Sequence, residues 1–178
     1  MLDTLITSKT RIKLLLKFFL NSNARSYLRG LESEFGESSN AIRLELNRFE
    51  DAGLLKAEMV GNKKMFRANT EHPLYEDIHN IILKYIGLDQ VVEKVARKLG
   101  DVLWVFLTGD FARGRDSSII DLIFVGDRID KEYLIRLVEK AEALVRRKIR
   151  YLVYTVSEFD GEYPPDRIAS DLLLLWKA

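Results

Sequence analysis

The sequence predicts an α+β protein of two domains joined by a helix. Residues 1–70 carry three short helical patterns followed by two strand-like runs around a glycine turn. Residues 71–87 carry one apolar helical stripe, and residues 88–178 alternate helical patterns with apolar runs of strand length. In the helical patterns, apolar residues recur at spacings of 3 and 4. In the strand-like runs, apolar and polar residues alternate with a period of 2. We therefore expect a small mixed sheet with helices packed on it in the last segment.

Composition excludes several classes of protein. The chain has 178 residues, of which 47% are hydrophobic and 31% charged, as in ordinary globular proteins. It has no cysteine and two histidines, so neither disulfides nor a thiolate or histidine-rich metal site is expected. No apolar run reaches the ~18 residues of a membrane span, and no basic segment precedes an apolar core at the start. We expect a cytoplasmic protein with no membrane partner.

Three helices are predicted in residues 1–70, each with a polar residue before it and a stop after it. The first begins after Ser8 and ends at 21–23, the second opens at Ser26 and ends at Gly36, and the third begins after the pair Ser38 and Ser39. Gly53 ends the third helix. The residues expected to face the core are Ile12, Leu15, Leu16, Phe19, Leu28, Leu31, Phe35, Ile42, Leu46 and Phe49.

A hairpin follows these helices. Residues 54–60 and 64–68 are short, partly alternating runs, and Gly61-Asn62 between them suits a two-residue hairpin turn. The second and third helices are joined by the short glycine turn of a helix-turn-helix unit. Three helices and a hairpin in this order predict a winged helix-turn-helix domain.

The third helix carries residue types that recognise DNA. Asn40, Arg43 and Asn47 share the face opposite its apolar stripe, and these side chains bind base edges and phosphates. Ser38 and Ser39 are expected to contact phosphate, and Lys63 and Lys64 lie at the predicted wing tip. The same residues would also suit a solvated helix face, and three acids, Glu45, Glu50 and Asp51, are expected near the DNA. Residues 1–70 nevertheless carry 12 Lys/Arg against 8 Asp/Glu, which favours a double-stranded DNA partner.

Residues 71–87 predict a linker or dimerisation helix. Pro73 suits the first turn of a helix, and Gly87 closes it. Its apolar stripe consists of Leu74, Ile78, Ile81, Ile82 and Tyr85. This helix could pack on the preceding domain or pair with the same helix of a second copy, and His79 beside the stripe is interpreted as a packing residue.

The last domain is predicted to begin at Leu88. Its elements are a helix over 91–99, a strand over 102–107 that is buried on both faces, a strand over 121–125, a helix over 133–145, a strand over 149–156 and a final helix over 168–176. The stretch 108–120 between the first two strands contains Gly109 and Gly114 and is predicted to form a tight loop. The acids Asp110, Asp116 and Asp121 suit turn or capping positions near Arg113, Arg115 and Arg128.

These patterns resemble two known families. Residues 8–69 resemble the winged helix-turn-helix domains of bacterial and archaeal transcriptional regulators, with an ArsR-like layout. Residues 109–121 resemble the signature of the minimal nucleotidyltransferases of the DNA polymerase beta superfamily. The matching positions of that signature are Gly109, Phe111, Ala112, Arg113, Gly114, Asp121 and Leu122. This second resemblance implies a metal-dependent transferase that holds divalent ions with three carboxylates.

The chain departs from that signature at the residues that would carry out the chemistry. Asp110 stands where the family has serine, Ile119 replaces the first acid, and the later strand offers Arg150 and Tyr151 where the third acid belongs. In-line transfer uses two metals about 3.5–4 Å apart, and magnesium needs several hard oxygen ligands. Asp121 alone cannot supply them. We therefore expect a catalytically degenerate domain with no metal and no cofactor.

Together these observations predict a DNA-binding transcriptional regulator that forms a homodimer. Its nucleotidyltransferase-like pseudoenzyme domain would serve dimerisation or the sensing of a small ligand at the 109–121 loop. The alternative is an active nucleotidyltransferase with a Mg²⁺ site rearranged among Asp110, Asp116 and Asp121, whose winged helix positions the substrate. A third reading is a scaffold that binds a helical partner protein through the apolar end 172–176.

Overall fold

The computed structural model describes residues 5–164, 168 and 172–178. The chain forms two compact units, Met1–Tyr85 and Ile86–Ala178. Each unit has its own sheet, one of three strands and one of four, so the protein is of the α+β class. Within the described part of the chain, no helix is long and apolar enough to cross a membrane.

The first unit is a winged helix-turn-helix fold. Its elements are α1 (Lys9–Leu15) continued by a π-helical turn (Leu16–Leu20), β1 (Arg25–Tyr27), α2 (Leu28–Phe35), α3 (Ser39–Asp51), β2 (Leu55–Val60), β3 (Lys63–Ala68) and α4 (Tyr75–Ile86). The strands form an antiparallel sheet in the order β1-β3-β2. Val60 pairs with Lys63 across the tip, which confirms the hairpin turn at Gly61-Asn62.

Local chemistry fixes the ends of these helices as the sequence predicts. The Ser8 hydroxyl accepts a hydrogen bond from the Arg11 amide at 3.2 Å, and the Ser38 hydroxyl accepts one from the Ala41 amide at 3.3 Å. Each hydroxyl thereby satisfies an amide that the first helical turn leaves unpaired. Gly36 ends α2 with a φ of 63°, in the left-handed region where a side chain is disfavoured.

The predicted start of the second helix is wrong. Ser26 does not open the second helix but lies in β1, opposite Phe66 of β3. Tyr27 has an extended backbone, and α2 begins after it at Leu28 without a side-chain cap. Pairing with β3 satisfies the backbone of Ser26 instead, and a three-residue strand is too short to show an alternating pattern.

The core of the first unit surrounds the end of α1. From Leu14 to Leu20, every side chain except Lys17 is buried. Lys17 instead places its Nζ 2.9 and 3.0 Å from the two carboxylate oxygens of Glu34, with side chains 13% and 11% exposed. The π-helical turn thus lies in the centre of the unit, with its one charge paired inside the protein.

Helix α4 packs on this core by its buried face. Tyr75 is buried and lies 5.7 Å from Phe19, measured between ring centroids. The Nδ1 of His79 hydrogen-bonds to the carbonyl oxygen of Phe19 at 2.6 Å, and its ring stacks on Tyr75. His79 is therefore a packing residue, as predicted.

The second unit contains a four-stranded mixed sheet. Its elements are α5 (Asp89–Lys98), β4 (Trp104–Thr108), α6 (Gly109–Ala112), β5 (Ile119–Val125), α7 (Lys131–Val145), β6 (Lys148–Tyr154), α8 (Val156–Glu162) and β7 (Leu173–Lys177). The strand order is β6-β5-β4-β7. Strands β5 and β6 are parallel, whereas β4 is antiparallel to both β5 and β7. The predicted small mixed sheet is confirmed.

The end of the chain differs from the prediction. The final helix over 168–176 is wrong from Leu173 onward, because Leu173 and Trp176 pair with Leu107 and Val105 in the sheet. Ile168 is helical, and 169–171 lie outside the described residues. A short continuous apolar run fits a buried strand and a buried helix equally well, so periodicity could not separate them. Val156 likewise begins α8, which sequence analysis missed, rather than ending a strand.

One face of this sheet combines an aromatic cluster with the carboxylate of Asp121. Phe106, Ile123 and Val125 pack with Phe159 of α8, whose ring stacks on that of Phe106 at 5.1 Å. Because side chains alternate along a strand, Asp121 shares this face with Ile123. The cluster fills the face toward the end of β5, and Asp121 lies near the strand's start.

Candidate nucleic-acid interface and the 109–121 loop

Helix α3 presents its polar face to solvent. Ile42, Leu46 and Phe49 are buried in the first unit, as predicted. Asn40, Arg43 and Asn47, the proposed base-reading residues, are all exposed on the opposite side. This helix therefore offers two amides and a guanidinium along one solvent-facing surface.

A groove of about 490 Å³ runs between α3 and the wing hairpin. Its lining residues are Tyr27, Leu28, Arg29, Arg43, Leu46, Asn47, Asn62, Lys63, Lys64 and Phe66. Four of these are cations and two are amides, and none is a carboxylate. We call this surface the basic groove. Its composition suits a polyanion that also offers hydrogen-bond acceptors.

Arg29 and Asn62 line the basic groove, although neither was predicted from the sequence to lie there. Arg29 lies in the first turn of α2, where nothing in the sequence indicates that it approaches α3 and the wing. The pairing of β1 with β3 brings it there, because Tyr27 pairs with Met65 just before α2 begins. Asn62 was assigned only to the hairpin turn. A basic residue immediately after a short strand is too weak a signal to identify such a contact from sequence.

The two wing lysines differ in their surroundings. The Nζ of Lys63 lies 4.4 Å from the centroid of the Tyr27 ring. The Nζ of Lys64 lies 2.6 Å from a carboxylate oxygen of Glu50 on α3. Glu50 was expected to oppose DNA, but here its charge is matched by Lys64. Lys63 therefore contributes more positive charge to the basic groove than Lys64 does.

The hydroxyls of Ser38 and Ser39 hold the start of α3. Ser38 caps the helix, and the hydroxyl of Ser39 donates to a carboxylate oxygen of Glu32 at 2.9 Å. Glu32 belongs to α2, so this bond connects the two helices of the helix-turn-helix unit. Phosphate contact by either serine stays a prediction.

The expectation that Glu45 lies near DNA is wrong. Glu45 is buried, and its carboxylate binds Arg11 of α1 at 2.8 and 3.2 Å and Arg48 at 3.0 Å. Burial raises the pKa of Glu45, but the hydrogen bonds and charges of its arginine partners outweigh this and hold the pKa below its usual value. Glu45 fastens α3 to α1 and removes one acid from the surface offered to DNA.

In the second unit, Asp121 lies beside Arg150. The parallel register of β5 and β6 places the two residues opposite each other. The Nε of Arg150 donates to Oδ1 of Asp121 at 2.7 Å, and its Nη2 donates to Oδ2 at 3.0 Å. This bidentate pair, together with the charge of Asp110, raises the pKa of Arg150 above its usual value. The guanidinium thus binds both oxygens that Asp121 could offer to a metal.

Gly109 lies close to the carboxylate of Asp121. Its φ is 68°, and a Cβ at this position would lie 2.5 Å from Oδ2 of Asp121. The loop after it is partly helical, since residues 109–112 form the single turn α6 rather than an open loop. Phe111 and Ala112 are buried, which anchors this turn in the second unit.

Of the other two acids of the loop, Asp110 acts on Arg150 through its charge, whereas Asp116 is paired elsewhere. Asp116 pairs with Arg147 at 2.9 Å, and Arg128, expected near these acids, pairs with Asp101 at 2.7 Å instead. Across the described ranges, no three His, Asp or Glu side chains are grouped so that they could hold a metal ion. Ile119 has no ligand atom. The residues at this position therefore do not fit the divalent ion that the nucleotidyltransferase signature implies.

Comparison with solved structures finds partial likenesses. Reduced HlyU from Vibrio cholerae is 15% identical with a TM-score of 0.36, and the match covers 47% of this chain and 82% of that one. A presumed nucleotidyltransferase from Sulfolobus solfataricus is 26% identical with a TM-score of 0.34, covering 55% and 83%. Because both TM-scores lie below 0.5, the architecture of each unit is assigned from its own helices and strands. No protein-family model matches the chain, and no curated protein matches its sequence.

Proposed function

We propose that this protein is a sequence-specific DNA-binding transcriptional regulator. The observation that carries the proposal is the basic groove, with four cations, two amides and no carboxylate between α3 and the wing. A DNA backbone placed in such a groove binds through the cations. The exposed face of α3 then meets base edges in the major groove, which is wide enough for a helix.

Within this arrangement the residues divide into two roles. Arg43 and Asn47 line the basic groove from α3, and together with Asn40 they present the donors that recognise guanine and adenine edges. Arg29 and Lys63 flank them and bind phosphates, which positions the protein without reading sequence. Lys64 contributes less because Glu50 already balances its charge.

Substitutions in the basic groove test this division. A duplex would first be selected from a randomised DNA pool by the intact protein. Arg43→Ala should weaken binding to the selected duplex by about 10–100-fold, because a bidentate base contact contributes ~1–3 kcal/mol, and binding to random DNA should change little. Lys63→Ala should weaken both kinds of DNA alike and lower the salt-dependence slope by about 1, whereas Lys64→Ala should lower it less. Fluorescence anisotropy across a salt series measures all of these.

The control for a lost positive charge is Arg97→Ala, an exposed arginine on α5 outside the basic groove. It should leave binding to the selected duplex unchanged. The regulator proposal fails if no sequence is enriched from the pool, or if Arg43→Ala binds the selected duplex as tightly as the intact protein at every salt concentration.

The homodimer is proposed to form through α4. Leu74, immediately before this helix, and Ile81 within it are exposed, and with the partly buried Ile78 they follow a spacing of 4 and 3. Glu76 and Asp77 lie in its first turn and Lys84 in its last. Antiparallel pairing with a second copy would cover the apolar residues and bring opposite charges together at both ends. A sedimentation-velocity experiment that finds only the 20.6 kDa chain would exclude this dimer.

The second unit is proposed to serve dimerisation or ligand binding rather than nucleotidyl transfer. The Asp121–Arg150 pair supports this, since a guanidinium stands where an ion would need the same two oxygens. Incubation with labelled nucleoside triphosphates, Mg²⁺ or Mn²⁺ and DNA, RNA and protein acceptors should give no labelled product. Transfer that disappears in Asp121→Asn would instead support an active enzyme with a rearranged metal site.

A further inference from the structure

One residue on the exposed face of α3 has no polar group. Leu44 is 50% exposed, whereas the other leucine within this helix, Leu46, is almost completely buried. With 3.6 residues per turn, Leu44 falls within an arc of about 100° that also contains Asn40, Arg43 and Asn47. The buried residues Ile42, Glu45, Leu46 and Phe49 occupy the opposite side of the helix. Leu44 is thus an apolar group beside the three side chains assigned to base recognition, at the edge of the arc that they share.

Its surroundings determine which partner would suit it. Arg43 and Asn47 of this arc line the basic groove, which contains no carboxylate and attracts a polyanion, and Leu44 lies beside them outside the groove lining. DNA is a double-stranded polyanion that also offers apolar groups on an otherwise polar surface. In its major groove, thymine alone among the four bases exposes a methyl group, at C5. A leucine flanked by an arginine and an asparagine complements such a base beside a guanine or an adenine.

We propose that Leu44 packs against the C5-methyl group of a thymine and makes that position of the DNA site specific. The inference rests on the proposed DNA-binding function and names one base that the site contains. Leu44 contributes specificity here by excluding water from the methyl group, whereas Arg43 and Asn47 contribute it through hydrogen bonds.

Replacing thymine by deoxyuridine removes this methyl group and nothing else. In the selected duplex, each thymine would be replaced in turn and the affinity measured. The intact protein should lose about four-fold at one thymine per half-site, which corresponds to the ~0.8 kcal/mol of one buried methylene-sized group. Leu44→Ala should bind the unmodified duplex about four-fold more weakly and should not distinguish thymine from deoxyuridine at that position. Leu44→Met, which keeps an apolar side chain, should still distinguish them.

The outcomes separate this inference from the function on which it rests. Enrichment of a sequence, together with equal thymine-to-deoxyuridine losses in the intact protein and Leu44→Ala at every position, would overturn the role of Leu44 and leave the regulator proposal standing. Absence of any enriched sequence would overturn both. Far-ultraviolet circular dichroism of Leu44→Ala checks that the helix is intact, and unchanged losses at the remaining thymines show that the variant still docks in the same register.

Discussion

Replacing Gly126 by alanine should destabilise the second unit by about 3 kcal/mol, because the new methyl group would collide with backbone rather than with a movable side chain. Gly126 is buried after β5, and its amide donates to the carbonyl of Tyr154 at 2.9 Å. A Cβ here would overlap the carbonyl oxygen of Asp101 and lie 3.1 Å from the Cα of Val102. That segment is itself fixed, since the next amide, of Leu103, bonds to Val125.

Tryptophan fluorescence during urea unfolding isolates this effect. The chain has two tryptophans, Trp104 in β4 and Trp176 in β7, and both belong to the second unit. The control is Gly161→Ala in α8, where a Cβ meets no atom within 4 Å. This variant should be as stable as the original protein or slightly more so, because alanine favours a helix over glycine. If the urea midpoint of Gly126→Ala equalled that of the control, the segment at Asp101 would have moved to accommodate the methyl group.

Replacing Lys17 by methionine should destabilise the first unit by about 3 kcal/mol. The substitution removes the amine from Glu34, whose side chain is only 11% exposed, and breaking a buried ion pair on one side costs ~3–5 kcal/mol. Amide hydrogen exchange over residues 9–35, measured by mass spectrometry, reports the stability of this unit separately from that of the second. Faster exchange across α1 and α2 is the expected result.

Two further variants identify the cause. The double substitution Lys17→Met with Glu34→Met removes both charges and should recover most of the stability, because an apolar pair of similar volume replaces a buried ion pair at little cost. Lys56→Met breaks the pair between Lys56 and the largely exposed Glu71 in the same unit, and should leave amide exchange across α1 and α2 almost unchanged, because an exposed ion pair contributes little to stability. If the double variant were as unstable as Lys17→Met, the loss would come from packing rather than from charge.

The elements that the sequence predicted correctly are those with local signals. Helix α3 follows from a serine cap and three inward apolar residues, and the hairpin follows from Gly61-Asn62. The elements that it missed depend on distant partners. Strand β1 has three residues and exists because β3 pairs with it, and β7 was assigned as a helix because an unbroken apolar run has no period.

The candidate sites divide in the same way. The exposed face of α3 could be predicted because helical spacing alone places Asn40, Arg43 and Asn47 together. The position of Arg150 beside Asp121 could be anticipated only through a family pattern, and the register of β5 and β6 brings the two together. Arg29 in the basic groove, the inward direction of Glu45 and the pairing of Glu50 with Lys64 all depend on tertiary contacts that no spacing in the sequence reports.

The π-helical turn after α1 has a consequence for aligning this chain with distant relatives. A π turn holds one residue more than the α turn that it replaces, so it is equivalent to a one-residue insertion. Residues beyond it are rotated by about 100° relative to an uninterrupted helix. We therefore expect relatives with a continuous first helix to be one residue shorter, with the alignment gap inside 16–20. A gap placed in the following turn would assign the buried Phe18, Phe19 and Leu20 to the wrong neighbours.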